Sequence, residues 1–226
     1  MNPTWLGRLA YADGLEAQLA ARERVLGDGP DELLLLEHEP VVTLGKRGGD
    51  VNARALAQQT TPVVQTDRGG FATWHGPGQL VGYPIVNLRR ARKDVPAFVA
   101  ELGGWLRETC EALGVSDVVY DACRPGVYRD GRKLGSIGLH IHKGVTTHGF
   151  ALNVCNTLEG FGAIVVCGHQ DLSVTTVAIE SGRDVTIDDG EITEHEWMRP
   201  VDAMKRRDVG DIELAPPTWV TLNRLA

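Results

Sequence analysis

The stretch GVYRDGRKLGSIGLHIHKGVTTHGFALNV, residues 126–154, does most to decide the fold of this chain. Residues 126–128, 134–140 and 146–154 are each predicted to form a strand. The four residues 129–132, Arg-Asp-Gly-Arg, are typical of a tight hairpin turn. The three strands are therefore predicted to lie side by side, and the middle of the chain is predicted to be dominated by a sheet.

Two clear helices are predicted before this segment, because apolar residues recur at helical spacing over 11–26 and over 96–113. The second begins at a proline, which suits a first helical turn, and is followed by a glycine. Pro84 interrupts another predicted strand and indicates an edge strand or a bulge. This order of elements favours an α/β or α+β fold, with a mixed sheet flanked by helices, over a doubly wound sheet. Further strands are predicted over 4–10, 32–38, 41–44, 63–66, 80–88 and 117–120, and further helices over 51–59 and 191–207.

Bulk composition excludes several classes of protein. The chain has 226 residues, 42% of them hydrophobic and 23% charged, as in ordinary soluble proteins. No apolar run approaches the ~20 residues that a membrane helix needs, and no signal peptide is evident, so we expect a cytoplasmic protein without a membrane partner. Four cysteines are too few for a disulfide framework at this length. The net charge of −7 argues against binding to nucleic acid.

A glycine-rich stretch, DRGGFATWHGPGQL at residues 67–80, is the first candidate for a functional loop. Bare backbone N–H groups in such a loop can line a pocket for a thioester carbonyl or a phosphate. Arg68 could hold an anion, and His75 could bond a carbonyl oxygen or transfer protons. The alternative is a structural turn that packs Trp74.

Lys133 and Cys167 form the second candidate, a nucleophile with its base. A cysteine is a strong nucleophile only as its thiolate, and a nearby ammonium group stabilises the thiolate near neutral pH. Lys133 follows a hairpin turn and precedes a strand, so we expect a rigid element to hold it. The structural alternatives are an exposed, inert lysine and a buried, inert cysteine. Cys110, on the apolar face of the 96–113 helix, fits the buried alternative well.

Two other kinds of site are weaker alternatives. Zinc could be held by Cys167, His169 and the region of Cys155, but no Cys-x2-Cys or His-x3-His spacing supports such a site. A serine hydrolase is weaker still, because no Gly-x-Ser-x-Gly elbow is present.

Three motifs together resemble one known family. They are RGGFATWHGPGQLVGYP at 68–84, the GRKLGSIG and TTHGFALNV runs at 131–138 and 146–154, and Cys-Gly at 167–168. The chain resembles the octanoyl–protein transferases of lipoate biosynthesis, in the biotin/lipoate ligase superfamily. It departs from the usual family pattern at Trp74, Gly135 and Val166, where tyrosine, alanine and proline are more common.

The resemblance implies a two-step acyl transfer. Cys167 would take the octanoyl group from the phosphopantetheine thioester of acyl carrier protein. The acyl-enzyme would then pass it to a lysine of a lipoyl domain, in 2-oxoacid dehydrogenase complexes or in the H protein of glycine cleavage. Lys133 would hold and return the proton, with His75 and His148 as second choices. Exchange between thioesters is nearly thermoneutral and amide formation is downhill, so we expect no ATP and no metal.

The resemblance also implies a set of residues around the acyl group and a single catalytic domain over 1–226, acting as a monomer. Residues 185–226 would be a helical extension of that domain, with no role assigned. The residues implied in substrate binding are Arg68, Gly69, Gly70, Phe71, Ala72, Thr73, Trp74, His75, Ser136, Ile137, Gly138, Gly149, Phe150 and Ala151.

Carrier proteins and lipoyl domains are acidic, so a local basic surface is expected on this acidic chain. Arg89, Arg90, Arg92 and Lys93 place four cations in five positions and are a hypothetical docking patch, with a solvated basic turn as the alternative. Three other functions share some of these features. They are an ATP-dependent lipoate–protein ligase, an amidotransferase acting between lipoyl domains, and a non-catalytic module that binds acyl carrier protein.

Overall fold

The structure is a computed structural model that describes residues 2–48, 61–166 and 172–187. The predicted helices over 51–59 and 191–207, and most of the 185–226 extension, lie outside these ranges. Among the described residues, no helix is both long enough and apolar enough to cross a membrane. The strands are β1 (Asn2–Leu9), β2 (Glu32–His38), β3 (Val41–Leu44), β4 (Val63–Gln65), β5 (Thr73–His75), β6 (Gln79–Ile85), β7 (Val119–Asp121), β8 (Gly126–Arg129), β9 (Arg132–His142) and β10 (Val145–Asn153). The helices are α1 (Tyr11–Leu26), α2 (Val95–Ala112), a 3-10 helix (Glu159–Ala163) and α3 (Val177–Ser181).

Most of the chain is built on a seven-stranded sheet in the order β1-β2-β6-β10-β9-β8-β7. The β1–β2 pair is parallel and every other pair is antiparallel, so the sheet is mixed, as predicted. A second sheet has the order β4-β3-β5. The strands predicted over 126–154 are confirmed as the β8-β9-β10 meander. Its first turn places Asp130 and Gly131 at φ 48° and 76°, the left-handed conformations that a tight hairpin turn requires.

The interpretation of Pro84 as a mark of an edge strand is wrong. Strand β6 lies inside the large sheet, between β2 and β10. The β6–β10 ladder runs from Gln79 to Gly82 on β6 and is resumed by the bridge between Asn87 and Val145. Pro84 lies in the gap, where it needs no N–H, and the Thr146 hydroxyl donates to its carbonyl oxygen at 2.5 Å.

The two faces of the large sheet bury different cores. Helix α2 packs Phe98, Leu102 and Leu106 onto the face that contains Leu134 and Leu152. Asp94 caps this helix by accepting from the Ala97 N–H at 2.7 Å, so its observed start agrees with the predicted one to within a residue. Cys110 is fully buried on its inner face, as predicted.

Helix α1 covers the opposite face of the sheet. Ala21 and Val25 pack there against Leu36, Val81 and Ala151. A third core lies beside the small sheet and holds Val42, Ala72, Trp74, Phe161, Ala163, Ile164 and Val166. Every strand that carries a predicted site residue therefore has at least one face fixed by apolar packing.

Candidate active site

Lys133 is buried near the start of β9, with 2% of its surface exposed. The Nζ donates to the Tyr128 hydroxyl oxygen at 2.9 Å and lies 4.9 Å from the centre of that ring. Tyr128 in turn donates to the Arg124 carbonyl oxygen at 2.8 Å. Tyr128 is the residue directly opposite Lys133 in the β8–β9 hairpin. The alternative of an exposed lysine is wrong, because this amine is buried. A buried amine needs such partners to offset its lost hydration.

The backbone of Lys133 is bonded to the segment that resumes after residue 171. The Lys133 N–H donates to the Ser173 carbonyl at 2.9 Å, and the Thr175 N–H donates to the Lys133 carbonyl at 3.0 Å. Val174 forms a parallel bridge with Lys133 between these two bonds. Residues 173–175 therefore extend beside β9 at Lys133.

An apolar pocket of about 360 Å³ opens next to this segment. Such a volume lies in the range of roughly 300–1,000 Å³ that is usual for small-molecule pockets. The pocket is lined by two stretches of chain, 158–166 and 172–174. These are the stretches that precede and follow 167–171 in the sequence. Cys167 and His169 lie outside the described residues, but Val166, bonded to Cys167, lines the pocket. The lining residues are Leu158, Phe161, Gly162, Ile164, Val165, Val166, Leu172 and Val174.

Glu180 anchors the segment that follows the pocket. Its side chain is only 3% exposed and accepts from Arg132 at 2.7 Å and from Arg129 at 3.3 Å. The Thr175 hydroxyl also donates to it, at 2.5 Å. Arg129 and Arg132 flank the turn before Lys133, so this carboxylate holds α3 and Thr175 against the hairpin that carries Lys133.

The Arg68–Gly70 loop is fixed on the other half of β9. The guanidinium of Arg68 is buried and donates to the Thr43 carbonyl at 2.7 Å and to the Thr43 hydroxyl at 2.9 Å. The Gly69 N–H donates to the Leu139 carbonyl at 2.9 Å. Farther along, Ala72 and Trp74 are buried in the third core and Phe71 lies under the Arg47 guanidinium. The packing of Trp74, which was the structural alternative for this stretch, is therefore observed, although Thr73–His75 form strand β5 rather than a turn.

His75 lies at the centre of a buried chain of hydrogen bonds. The Gln79 amide nitrogen donates to the Trp74 carbonyl and to the Asn153 side chain, so its oxygen accepts from the His75 Nδ1–H at 2.7 Å. The lone pair on Nε2 then faces the Thr43 hydroxyl at 3.4 Å. Burial, with the nearby His38 and Arg68, lowers the pKa of His75 to about 3, although the Gln79 bond acts in the other direction. His75 is therefore neutral at ordinary pH.

That chain continues toward Lys133. Asn153 donates to the Thr175 carbonyl oxygen at 3.1 Å, and the Thr175 N–H donates to the Lys133 carbonyl. His75 and Lys133 are thus connected through Gln79, Asn153 and Thr175. The structure brings His75 into the network behind Lys133, and its role in proton transfer stays a prediction.

His148 lies far from Lys133. It pairs with Leu139, six residues along β9 from Lys133, which corresponds to about 20 Å at the rise of a strand. Its Nε2 donates to the Asp67 carboxylate at 2.7 Å, and His140 approaches the other Asp67 oxygen at 3.3 Å. Burial lowers the pKa of His148, and the opposing effect of Asp67 is smaller. The structure therefore places His148 at the base of the Arg68–Gly70 loop.

The remaining predicted residues fall on two faces of the sheet. Ser136 is paired with Ala151, which packs under α1, and Ile137 is paired with Phe150, which packs with α2. Adjacent strand residues point to opposite faces. Gly138 and Gly149 are also paired, and a Cβ on Gly149 would lie 2.1 Å from the Gly82 carbonyl oxygen. Ile137 and Phe150 thus belong to the α2 core, while Ser136 lies on the α1 face.

Sequence reasoning missed three of these groups. Tyr128 could have been found, because a two-residue turn at Asp130-Gly131 places residue 128 opposite 133. Gln79 lies within a recognised motif, but no role was predicted for it. Nothing in the sequence indicated a role for Glu180, because its two arginine partners lie about 50 residues away in the chain. Only folding brings them to it. Within the described ranges, no three His, Cys, Asp or Glu side chains are arranged to hold a metal ion.

Comparisons with known proteins identify the family to which this chain belongs. The sequence model of the family described as lipoyl protein ligase A/B catalytic domain matches residues 10–191. A protein named octanoyltransferase from Mycolicibacterium smegmatis is 44% identical over 190 residues, which cover 81% of this chain and 81% of that protein. An octanoyltransferase from Thermobifida fusca is 41% identical over 223 residues, which cover 94% of each.

Solved structures share the fold at low sequence identity. Lipoate-protein ligase A bound with ATP has a TM-score of 0.61 at 15% identity, over 81% of this chain and 78% of that chain. A bi-partite lipoate protein ligase with its E2 lipoyl domain, from Thermoplasma acidophilum, has a TM-score of 0.59 at 16% identity, over 80% and 77%. At such identities the likeness shows the fold alone, and it confirms the predicted mixed sheet of a lipoate-ligase catalytic domain.

The family match covers most of the chain, and the relatives align over most of their own length. The chain therefore belongs to the lipoyl protein ligase A/B catalytic domain family. Within that family it is an acyltransferase of the octanoyltransferase group, as its motifs predicted.

Proposed function

We propose that this enzyme moves an octanoyl group from octanoyl-acyl carrier protein to a lysine of a lipoyl domain, in the cytoplasm, through a thioester on Cys167. The observation that supports it most is the surroundings of Lys133. A buried amine is bonded through its backbone to residues 173–175, and an apolar pocket is lined by the residue that precedes Cys167. The names of the related proteins are the reason for proposing octanoyl as the transferred group.

The reaction divides into two acyl exchanges with Lys133 as the proton carrier. Lys133 takes the proton of the Cys167 thiol, and the thiolate attacks the donor's thioester carbonyl. The bond from carbon to the pantetheine sulfur breaks, and the leaving thiolate recovers the proton from Lys133. In the second step the acceptor lysine, as a neutral amine, attacks the acyl-cysteine, an amide forms, and Cys167 leaves as a thiol. Electrons and protons balance without ATP or a metal.

The apolar pocket supplies the binding energy for the fatty tail. An octanoyl chain has six methylenes, and burial of each contributes about 0.8 kcal/mol, so a fully buried tail gains about 5 kcal/mol. The side chains that line the pocket are all apolar, which suits an unsubstituted hydrocarbon. The acceptors in this proposal are lipoyl domains of 2-oxoacid dehydrogenase complexes and the H protein of glycine cleavage.

Intact-mass measurement after incubation with octanoyl-acyl carrier protein tests the proposal. We expect a mass increase of one octanoyl group that hydroxylamine removes, and that is absent in Cys167→Ser. Cys123→Ser and Cys155→Ser are matched controls, because both residues are exposed free cysteines. Partial burial raises the pKa of the Cys155 thiol, which disfavours its thiolate. Lys133→Ala should slow acylation strongly.

Three outcomes would contradict the proposal. They are an unchanged adduct in Cys167→Ser, a normal acylation rate in Lys133→Ala, and octanoate-dependent ATP–pyrophosphate exchange, which an ATP-dependent ligase would show. A carrier-binding module without activity would give no adduct in the unaltered protein.

A further inference from the structure

The exposed cations among the described residues fall into two groups, those that form an ion pair with a carboxylate and those that form none with a described residue. In the described part of the chain, most surface arginines and lysines form an ion pair with a carboxylate, including two of the cluster predicted as a docking patch. Arg90 pairs with Asp31 and Lys93 pairs with Glu101, both at 2.5 Å. Six exposed cations have no ion pair with a described residue, and five of them lie on three neighbouring turns. We name these five the basic edge: Lys46, Arg47, Arg89, Arg92 and Lys143.

The members of the basic edge come from three turns that the fold joins. The Leu88 N–H donates to the Gly144 carbonyl at 2.9 Å, which brings the turn with Arg89 and Arg92 against the β9–β10 turn. A Cβ on Gly144 would lie 3.1 Å from the Arg89 side chain. The Lys46 Nζ lies 3.3 Å from the Nδ1 of His140, near the end of β9. Charge is therefore concentrated along one edge of an otherwise acidic chain.

This edge adjoins the loop that the resemblance assigns to the substrate. The Lys46 N–H donates to the Arg68 carbonyl at 2.9 Å, and the Arg47 N–H donates to the Gly70 carbonyl at 3.0 Å. The Asp67 side chain, 56% exposed, directly precedes this loop in the sequence, and its two oxygens are engaged by His148 and His140. The remaining exposed cation without an ion pair among the described residues, Arg183, contacts Gly114 at the far end of α2.

We infer that the basic edge docks the donor, an acidic carrier domain that bears its acyl thioester on a phosphopantetheine arm. The inference rests on the proposed function. His140 is seven residues along β9 from Lys133, which corresponds to about 23 Å. A lysine side chain cannot span that distance, so the acceptor has to bind closer to Lys133. A phosphopantetheine arm is much longer than a lysine side chain. Its phosphodiester is an anion that arginine and lysine bind well.

The test uses the double variant Arg89→Glu/Lys143→Glu with Arg24→Glu/Arg107→Glu as the matched control. Both pairs are exposed and change the net charge equally. The control residues differ in that they lie on α1 and α2 and form ion pairs, Arg24 with Glu32 and Arg107 with Glu111. Initial rates are measured at low salt with octanoyl-acyl carrier protein and with octanoyl-pantetheine, which has no protein portion. We expect the edge variant to raise the KM for the carrier by about tenfold and to leave its kcat unchanged. The KM for octanoyl-pantetheine and for the lipoyl-domain acceptor should remain unchanged.

Added salt should raise the carrier KM of the unaltered enzyme and have a smaller effect on the edge variant. The inference is overturned if the carrier KM is unchanged, if both donors lose activity equally, or if the acceptor KM rises instead. Binding of unacylated holo-carrier protein to Cys167→Ser, followed by calorimetry, tests docking without catalysis. If no donor acylates the unaltered enzyme while this binding is lost in the edge variant, the proposed function has failed and the docking surface stands.

Discussion

Acid should destabilise this protein well above the pH at which its carboxylates titrate. His38 and His75 are buried together, with ring centres 5.8 Å apart. Burial lowers the pKa of His38 to about 4, although a bond to the Leu9 carbonyl opposes this, and lowers the pKa of His75 to about 3. An unfolded histidine has a pKa near 6.5. Below that pH the unfolded chain binds more protons than the folded one, so the free energy of unfolding falls as the pH falls.

The size of this effect follows from the pKa difference. Between pH 7 and pH 5 an unfolded histidine becomes protonated while His38 and His75 stay neutral in the folded protein. Each costs about 2 kcal/mol over that interval, and the pair costs about 4 kcal/mol. His148 and His140, whose pKa values burial also lowers, act in the same direction. For a domain with a total stability of about 5–15 kcal/mol this is a large fraction.

Urea unfolding at pH 7, 6 and 5, followed by circular dichroism, measures the effect. We expect the free energy of unfolding to fall by at least about 4 kcal/mol across this range, and by about 2 kcal/mol less in His38→Gln than in the unaltered protein. His38→Gln also loses the 2.6 Å bond to Tyr83, so only the slope against pH is compared, not the stability at pH 7. A free energy that stays constant to within 1 kcal/mol between pH 7 and 5 would refute the reasoning.

Three further predictions concern single contacts. Glu180→Gln removes the charge that holds Arg129 and Arg132 and should lower the free energy of unfolding by about 2–3 kcal/mol, or the Tm by roughly 4–12 °C, as measured by thermal unfolding. Tyr128→Phe removes an acceptor of the Lys133 amine, worth about 1.5–3 kcal/mol, and should lower the acylation rate roughly 10–100-fold in stopped-flow measurements. Gly149→Ala forces a Cβ to within 2.1 Å of a carbonyl oxygen and should cost at least about 1–3 kcal/mol in urea unfolding.

Two of these, Glu180→Gln and Gly149→Ala, have a control in the same chain. Glu23→Gln breaks an exposed ion pair and should change the free energy of unfolding by less than about 1 kcal/mol. Gly104→Ala adds a Cβ that meets nothing within 4 Å on α2 and should stabilise the protein by about 0.5–1 kcal/mol. Equal effects in the test variant and its control would contradict the structural reasoning, as would full acylation activity in Tyr128→Phe.

Local features of the fold could be predicted from sequence because their causes are local. The Asp130-Gly131 turn requires left-handed conformations, and these two residues adopt them readily, so the β8–β9 pairing and its register follow from four residues. The start of α2 follows from its cap at Asp94. The neighbours of β6 could not be predicted, because β2 and β10 are brought to it by packing of α1 and α2 rather than by a short turn. Pro84 was therefore taken to indicate an edge strand or a bulge.

The candidate site divides in the same way. The motif was enough to predict Lys133 as a site residue. Its burial could not be predicted, because the segment bonded to it lies about 40 residues later in the chain. The link from Asp67 to His148 spans 81 residues and depends on the seating of the Arg68–Gly70 loop on β9. Residue type alone indicated His148 as a proton carrier, whereas its position is set by this hydrogen bond.

Lys133 and the apolar pocket are joined through Val174, and this connection has a consequence for the proposed function. The amine donates to Tyr128 of its own hairpin, and its backbone is bonded to residues 173–175, which Glu180 anchors through Thr175. Val174 forms a bridge with Lys133, lines the pocket and packs against the third core, around Trp74 and Phe161. A change of volume in that core is therefore expected to alter the pocket and to shift the backbone beside Lys133 as well. Under the proposed function, the space for the acyl tail and the position of the proton carrier are expected to change together.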